Sequence, residues 1–185
     1  MRVEIVDDTE GRGPATAFPS AENYVDLREN PNAIERIALA RQHLPLRNFL
    51  TAVNGADSFF ASISCSTQAD SPATVSAGEA YEFASQASLV FAESSINFER
   101  DSFRDLSAGL KELLERDSGD AIRAVLRISP CDFRSESRRG FCLRVRLVAH
   151  GASAEHAELR WGLGLARVQQ ALLFCARALR QQFGE

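Results

Sequence analysis

Between Ser153 and Phe183, apolar and small residues recur every three or four positions: Ala157, Trp161, Gly164, Val168, Leu172, Cys175, Leu179 and Phe183. A second stripe (Leu159, Leu163, Ala166 and Leu173) widens the apolar surface. An unbroken helix of this length runs roughly 45 Å at 1.5 Å per residue. That is longer and wider than one small sheet needs, so part of it is expected to pack on a second helix or a second subunit. Trp161, Val168 and Leu172 are the expected dimer interface. Gly162 and Gly164, beside Trp161, offer either a close contact or a kink.

The segment ahead of this helix has the other periodicity. In FCLRVRLVAH (141–150), Phe141, Leu143, Val145, Leu147 and Ala149 share one parity, and Cys142, Arg144, Arg146 and His150 share the other. Period two marks a half-buried strand. AIRAVLRIS (121–129) repeats it, with Ile122, Ala124, Leu126 and Ile128 inward and Arg123 and Arg127 outward. CDFRSESRRG (131–140) is expected to be a polar loop joining the two. Paired as a hairpin, they set Arg123, Arg127, Arg144 and Arg146 on one face. That face is either the solvent side of an antiparallel sheet or a surface for an acidic ligand or partner peptide.

Upstream, Ile34, Ile37, Ala38 and Arg41, then Leu46, Phe49, Leu50 and Val53, predict one kinked helix or two short ones over 32–54, with Pro45 between. FFASISCST predicts a strand with Ser62, Ser64 and Ser66 on one side. Further strands are expected at 74–83, where Gly78 weakens the pattern, and at 85–98. Phe103, Leu106, Leu110, Leu113 and Leu114 predict a helix over 100–117, stopped by Ser118-Gly119. The resulting fold class is α+β: an antiparallel sheet of about five strands with helices packed on one face, in the order α-β-β-β-α-β-β-α. Residues 32–185 form one domain. Residues 1–31, with seven acids against three arginines and Gly11, Gly13, Pro14, Pro19 and Pro31, form an acidic irregular arm, anchored only if an edge strand or Phe18 and Tyr24 hold it.

The net charge of −4 divides unevenly. Residues 1–119 hold nineteen acids against ten bases, and residues 120–185 hold six against eleven. The two parts either neutralise each other or expose one to a charged partner. Nucleic acid is a poor candidate, because no basic run extends beyond Arg138-Arg139 and no basic strand is studded with aromatics. No stretch approaches the ~20 apolar residues of a membrane span. A start without a basic region or apolar run, together with four cysteines (Cys65, Cys131, Cys142 and Cys175) that form no C-x-x-C pair, fits reduced thiols in a bacterial cytoplasm.

Catalytic signals are weak. His43, His150 and His156 show no metal-ligand spacing, serine elbows and phosphate loops are missing, and no cofactor is expected. Cys142 shares the arginine parity and is expected to be exposed with a lowered pKa. An enzyme is disfavoured rather than excluded, since active sites assemble from distant residues. The alternative to a binding module is a small-molecule site or unrecognised enzyme, with a pocket between the sheet and the last helix near Trp161.

The order of helix, three strands, helix, two strands and long helix over 32–183 resembles the small α+β fold of type III secretion chaperones and the YbjN-like proteins. That resemblance implies a homodimer without enzymatic activity that binds an extended segment of another protein. No site residue carries over.

Overall fold

The computed structural model describes all residues except 9, 11–14, 20–23, 71–80, 117–120 and 184–185. Residues 11–14 of the expected arm, the Ser118-Gly119 stop and most of the strand expected at 74–83 lie outside the described residues. The chain forms β1 (Arg2–Asp7), β2 (Thr16–Phe18), a 3-10 turn (Pro31–Arg36), α1 (Ala38–Gln42), α2 (Leu44–Val53), β3 (Phe60–Asp70) and β4 (Tyr81–Phe91). A second 3-10 turn (Ser94–Phe98), α3 (Arg100–Glu115), β5 (Ile122–Phe133), a third turn (Arg134–Glu136), β6 (Arg138–Gly151) and α4 (Ala154–Phe183) follow.

The fold is α+β around one six-stranded sheet in the order β1-β5-β6-β4-β3, with β2 also on β5. The sheet is mixed, which corrects the expectation of a purely antiparallel one. β1 and β2 run parallel to β5, while β3, β4, β5 and β6 are antiparallel. The cause is the opening section, which supplies an edge strand rather than irregular chain alone. Val3 is buried against the core, and its N–H donates to Glu115 on α3 at 3.2 Å. The element order therefore begins with two strands ahead of the helices.

Three further corrections concern the strands. Residues 131–133 extend β5, and 138–140 begin β6, so the expected polar loop is a tight hairpin. It extends the ladder because Cys131 and Phe133 continue the alternation and are buried. Tyr81–Phe83 belong to β4, which runs to Phe91 as one strand; residues 94–98 turn away as a 3-10 helix. Within β3 the register slips between Ser62 and Ser64. This bulge turns Ser62 toward the helices, where it meets Asn54, and leaves Ser64 and Ser66 on the opposite face.

One face of the sheet carries the main core. Ala124, Leu126, Ile128, Leu143, Val145, Leu147 and Phe83 pack there under α2, α3 and α4. α4 crosses β6 and β4 as one 30-residue helix, flanked by α2 and α3. Gly164 allows this close approach: an added Cβ would sit 3.0 Å from both Ile122 and Leu147. We call the opposite side the open face. Its hairpin end holds a smaller apolar cluster of Ala61, Ile63, Val90, Cys131, Phe133 and Cys142, covered by Phe18 and Phe98.

Candidate functional site

The rest of the open face is polar, and strand register builds it. Arg127 lies directly opposite Arg144, Arg146 opposite Val125, and Arg123 opposite Val148. On the other flank of β6, Gln86 is opposite Arg146 and Glu82 opposite His150. All four arginines picked out by the sequence thus share one face. They line a basin of about 490 Å³ with Glu4, Glu82, Gln86, Val125, Val148 and His150.

Like charges directly across an antiparallel pair destabilise it unless something compensates. Part of the compensation comes from the N-terminal section. Glu4 pairs with Arg123, Asp8 with Arg127 at 3.1 Å, and the Thr16 hydroxyl accepts from Arg144. The inner side of the same strand is held by charge too, with Asp7 on Arg100 and Arg104, both at 2.9 Å. The uneven charge division therefore neutralises itself at the sheet edge, though incompletely. Among the described residues, Arg144 meets no carboxylate, and exposed Arg146 has neither a hydrogen bond nor an ion pair. At the far end, His150 Nδ1 is buried without a hydrogen-bond partner among the described residues; the nearest carboxylate oxygen, on Glu82, is 4.0 Å away.

Cys142 sits beside Arg144 and corrects one expectation. It shares the arginine parity but is fully buried, because Phe18 and its strand roof that end of the face. A hydrogen bond from the Cys131 thiol, then the Arg144 guanidinium and the Thr16 hydroxyl, hold the Cys142 thiol below its ordinary range against the opposing effect of burial. Cys131, as donor and by burial, is pushed well above it.

The residues expected at a dimer interface are placed elsewhere. Trp161, Val168 and Leu172 are buried inside a single chain on the sheet side of α4. The Trp161 indole N–H donates to Ser85 Oγ at 2.7 Å, and its ring packs 4.6 Å from Phe83 and 5.7 Å from His43. The same side chains fill the space where a pocket between sheet and last helix was expected. His43 is correspondingly not a bare surface residue: its Nδ1 lies 2.8 Å from Glu158 Oε1. His150 faces the basin while His156 is exposed in the first turn of α4, and among the described residues no three His, Cys, Asp or Glu side chains could hold a metal ion.

Sequence reasoning missed Glu4, Glu82 and Gln86. Glu82 and Gln86 share a parity within β4, and that alternation was the available signal, obscured by placing a strand break at 83–85. Comparison with known proteins finds no matching family model, no similar curated protein and no similar solved structure. No helix among the described residues is long and apolar enough to cross a membrane.

Proposed function

We propose that the protein is a non-enzymatic binding module whose open sheet face receives an acidic, extended segment of another protein, in a chaperone-like or regulatory role. One observation carries this reading: Arg144 and Arg146, central in the basin, have no carboxylate partner among the described residues, while Arg123 and Arg127 are already matched by the chain's own acids. The chain itself illustrates the chemistry. Glu4 on β1 and Asp8 just past its end, four residues apart, meet two arginines four residues apart on the neighbouring strand. An incoming strand of alternating acids could address the next row in the same way, through bidentate guanidinium–carboxylate bonds. The basin is lined by side chains from adjacent strands of one sheet face, an arrangement that suits an extended segment laid across them.

The test is fluorescence anisotropy with a labelled peptide of alternating Glu and Val, beside its Gln counterpart. Exposed charge pairs contribute about 0.2–1 kcal/mol each, and reversing a charge replaces attraction with repulsion. Arg146→Glu should therefore weaken Glu-peptide binding by roughly tenfold, about 1.4 kcal/mol. Equal affinity for the two peptides, or an unchanged Arg146→Glu variant, would sink the proposal.

A further inference from the structure

A strand arginine gains most from a carboxylate directly across the ladder and loses most from a like charge there. The centre of the open face is built the other way. Arg144 stands between Arg127 on β5 and Ser88 on β4, and Arg146 stands between Val125 and Gln86. None of these four neighbours is acidic, and one of them is a third arginine. Asp8, which meets Arg127, lies just past the end of β1. Glu82 is four residues from Gln86 along β4, roughly 13 Å away at 3.3 Å per residue. Arg144 and Arg146 therefore hold a local excess of positive charge, on a face where the ladder had room for acids.

The donors also converge. Arg144 and Arg146 are two residues apart on one face of β6, roughly 6.6 Å along the strand. Arg127 and Gln86 stand one strand spacing, about 4.8 Å, to either side. Donors from three strands thus surround one area instead of forming a line along one strand. The Thr16 hydroxyl and the Cys142 sulfur each accept a hydrogen bond from Arg144 and hold it in place. A guanidinium has five N–H groups, so further donors remain for a ligand. A carboxylate brings one charge and two oxygens in a plane. A phosphate monoester brings close to two charges at neutral pH and three terminal oxygens pointing in different directions. Two arginines without a counter-charge, flanked by a third and by an amide, match the phosphate in both respects.

We propose that the acidic group this face selects is a phosphate monoester, carried as a phosphoserine by the partner segment and seated between Arg144 and Arg146, with Arg127 and Gln86 on its flanks. This assignment rests on the reading that the open face receives an acidic segment, and it narrows that reading from acidic side chains in general to one dianion. It also makes the interaction switchable. The phosphorylation state of the segment, rather than its sequence alone, sets how tightly it is held.

Three labelled peptides of alternating Glu and Val, alike except for Glu, Ser or phosphoserine at the central acidic position, test this by anisotropy on the full chain. Phosphoserine should bind roughly tenfold more tightly than Glu, the effect of one added hydrogen bond to a charged group, and Ser should bind weakest. Arg146→Gln should remove most of the advantage of phosphoserine over Glu. Arg146 is exposed, so the change spares the core, and an unchanged thermal melt would confirm it. A phosphoserine peptide no tighter than its Glu counterpart, or an advantage untouched by Arg146→Gln, would overturn the proposal. The broader reading would then stand or fall on the Glu-against-Gln comparison alone. Free O-phosphoserine competing at the affinity of the peptide itself would also overturn it, by showing a site for a small phosphate ester instead of a segment.

Discussion

Two buried serines illustrate how much a single hydroxyl can matter here. Ser85 Oγ accepts the Trp161 indole N–H, whereas Ser129 Oγ is buried with no hydrogen-bond partner among the described residues. Removing a partnered group leaves a buried donor unsatisfied, which costs about 1–3 kcal/mol, while removing an unpartnered one relieves a desolvation penalty. Ser85→Ala is expected to lower the melting temperature by several degrees, at roughly 2–4 °C per kcal/mol for a chain of this size. Ser129→Ala should raise it or leave it level. Thermal melts of the two variants side by side would decide, and a fall for both would mean that Ser129 has a partner after all. Neither difference was legible in the sequence, where both serines simply sit in strands. Parity gave the arginines their common face, because period two survives any error in pairing. It could not reveal that Cys142 on the same face is covered, since the cover comes from Phe18, more than a hundred residues away.

At the scale of elements, the joints between strands and turns carry the tightest packing. Gly140 lies near the start of β6, the return strand of the β5–β6 hairpin, where the turn after β4 crosses it. An added Cβ would lie 2.4 Å from the Asn97 carbonyl oxygen and 3.0 Å from the rings of Phe98 and Phe133. That carbonyl cannot easily yield, because the Asn97 amide is bonded to both the N–H and the C=O of Phe91, at 2.8 and 2.9 Å. Gly140→Ala should therefore destabilise by roughly 1–3 kcal/mol, the usual range for forced overpacking, read as a lower urea midpoint at an unchanged slope. Helices α2, α3 and α4 were legible because their apolar spacing is long and regular. The ends of β4 and the β5–β6 hairpin were not. Polar residues such as Asp132, Arg138 and Arg139 occupy ladder positions on a partly exposed hairpin, and composition alone makes them look like a loop. The bulge in β3 was equally hidden, since a single extra residue shifts parity without leaving a compositional mark.

For the whole molecule, the charge division sets stability against binding. Glu4 and Asp8 neutralise Arg123 and Arg127 at the edge of the face proposed for the partner. Replacing both acids with Gln and Asn should loosen the edge strand and lower stability slightly, because exposed pairs contribute little each. The same change should tighten binding of the Glu-bearing peptide, since two more guanidinium groups become available to it. Urea titration and peptide anisotropy on the double variant check the opposed signs; weaker binding would show that the acids organise the basin rather than compete for it. The inner side of β1 is unaffected, as Asp7 remains on Arg100 and Arg104.

The parallel pairing of β1 with β5 also has a consequence in time. Arg2 is in register with Arg123, so the strand has no partner until more than a hundred further residues have been made. At about 5–20 residues per second, that is a wait of roughly 6 to 24 s. During it, a short stretch of alternating apolar and acidic residues hangs on the growing chain with its buried side unsatisfied. An edge strand made early therefore waits on a strand made much later.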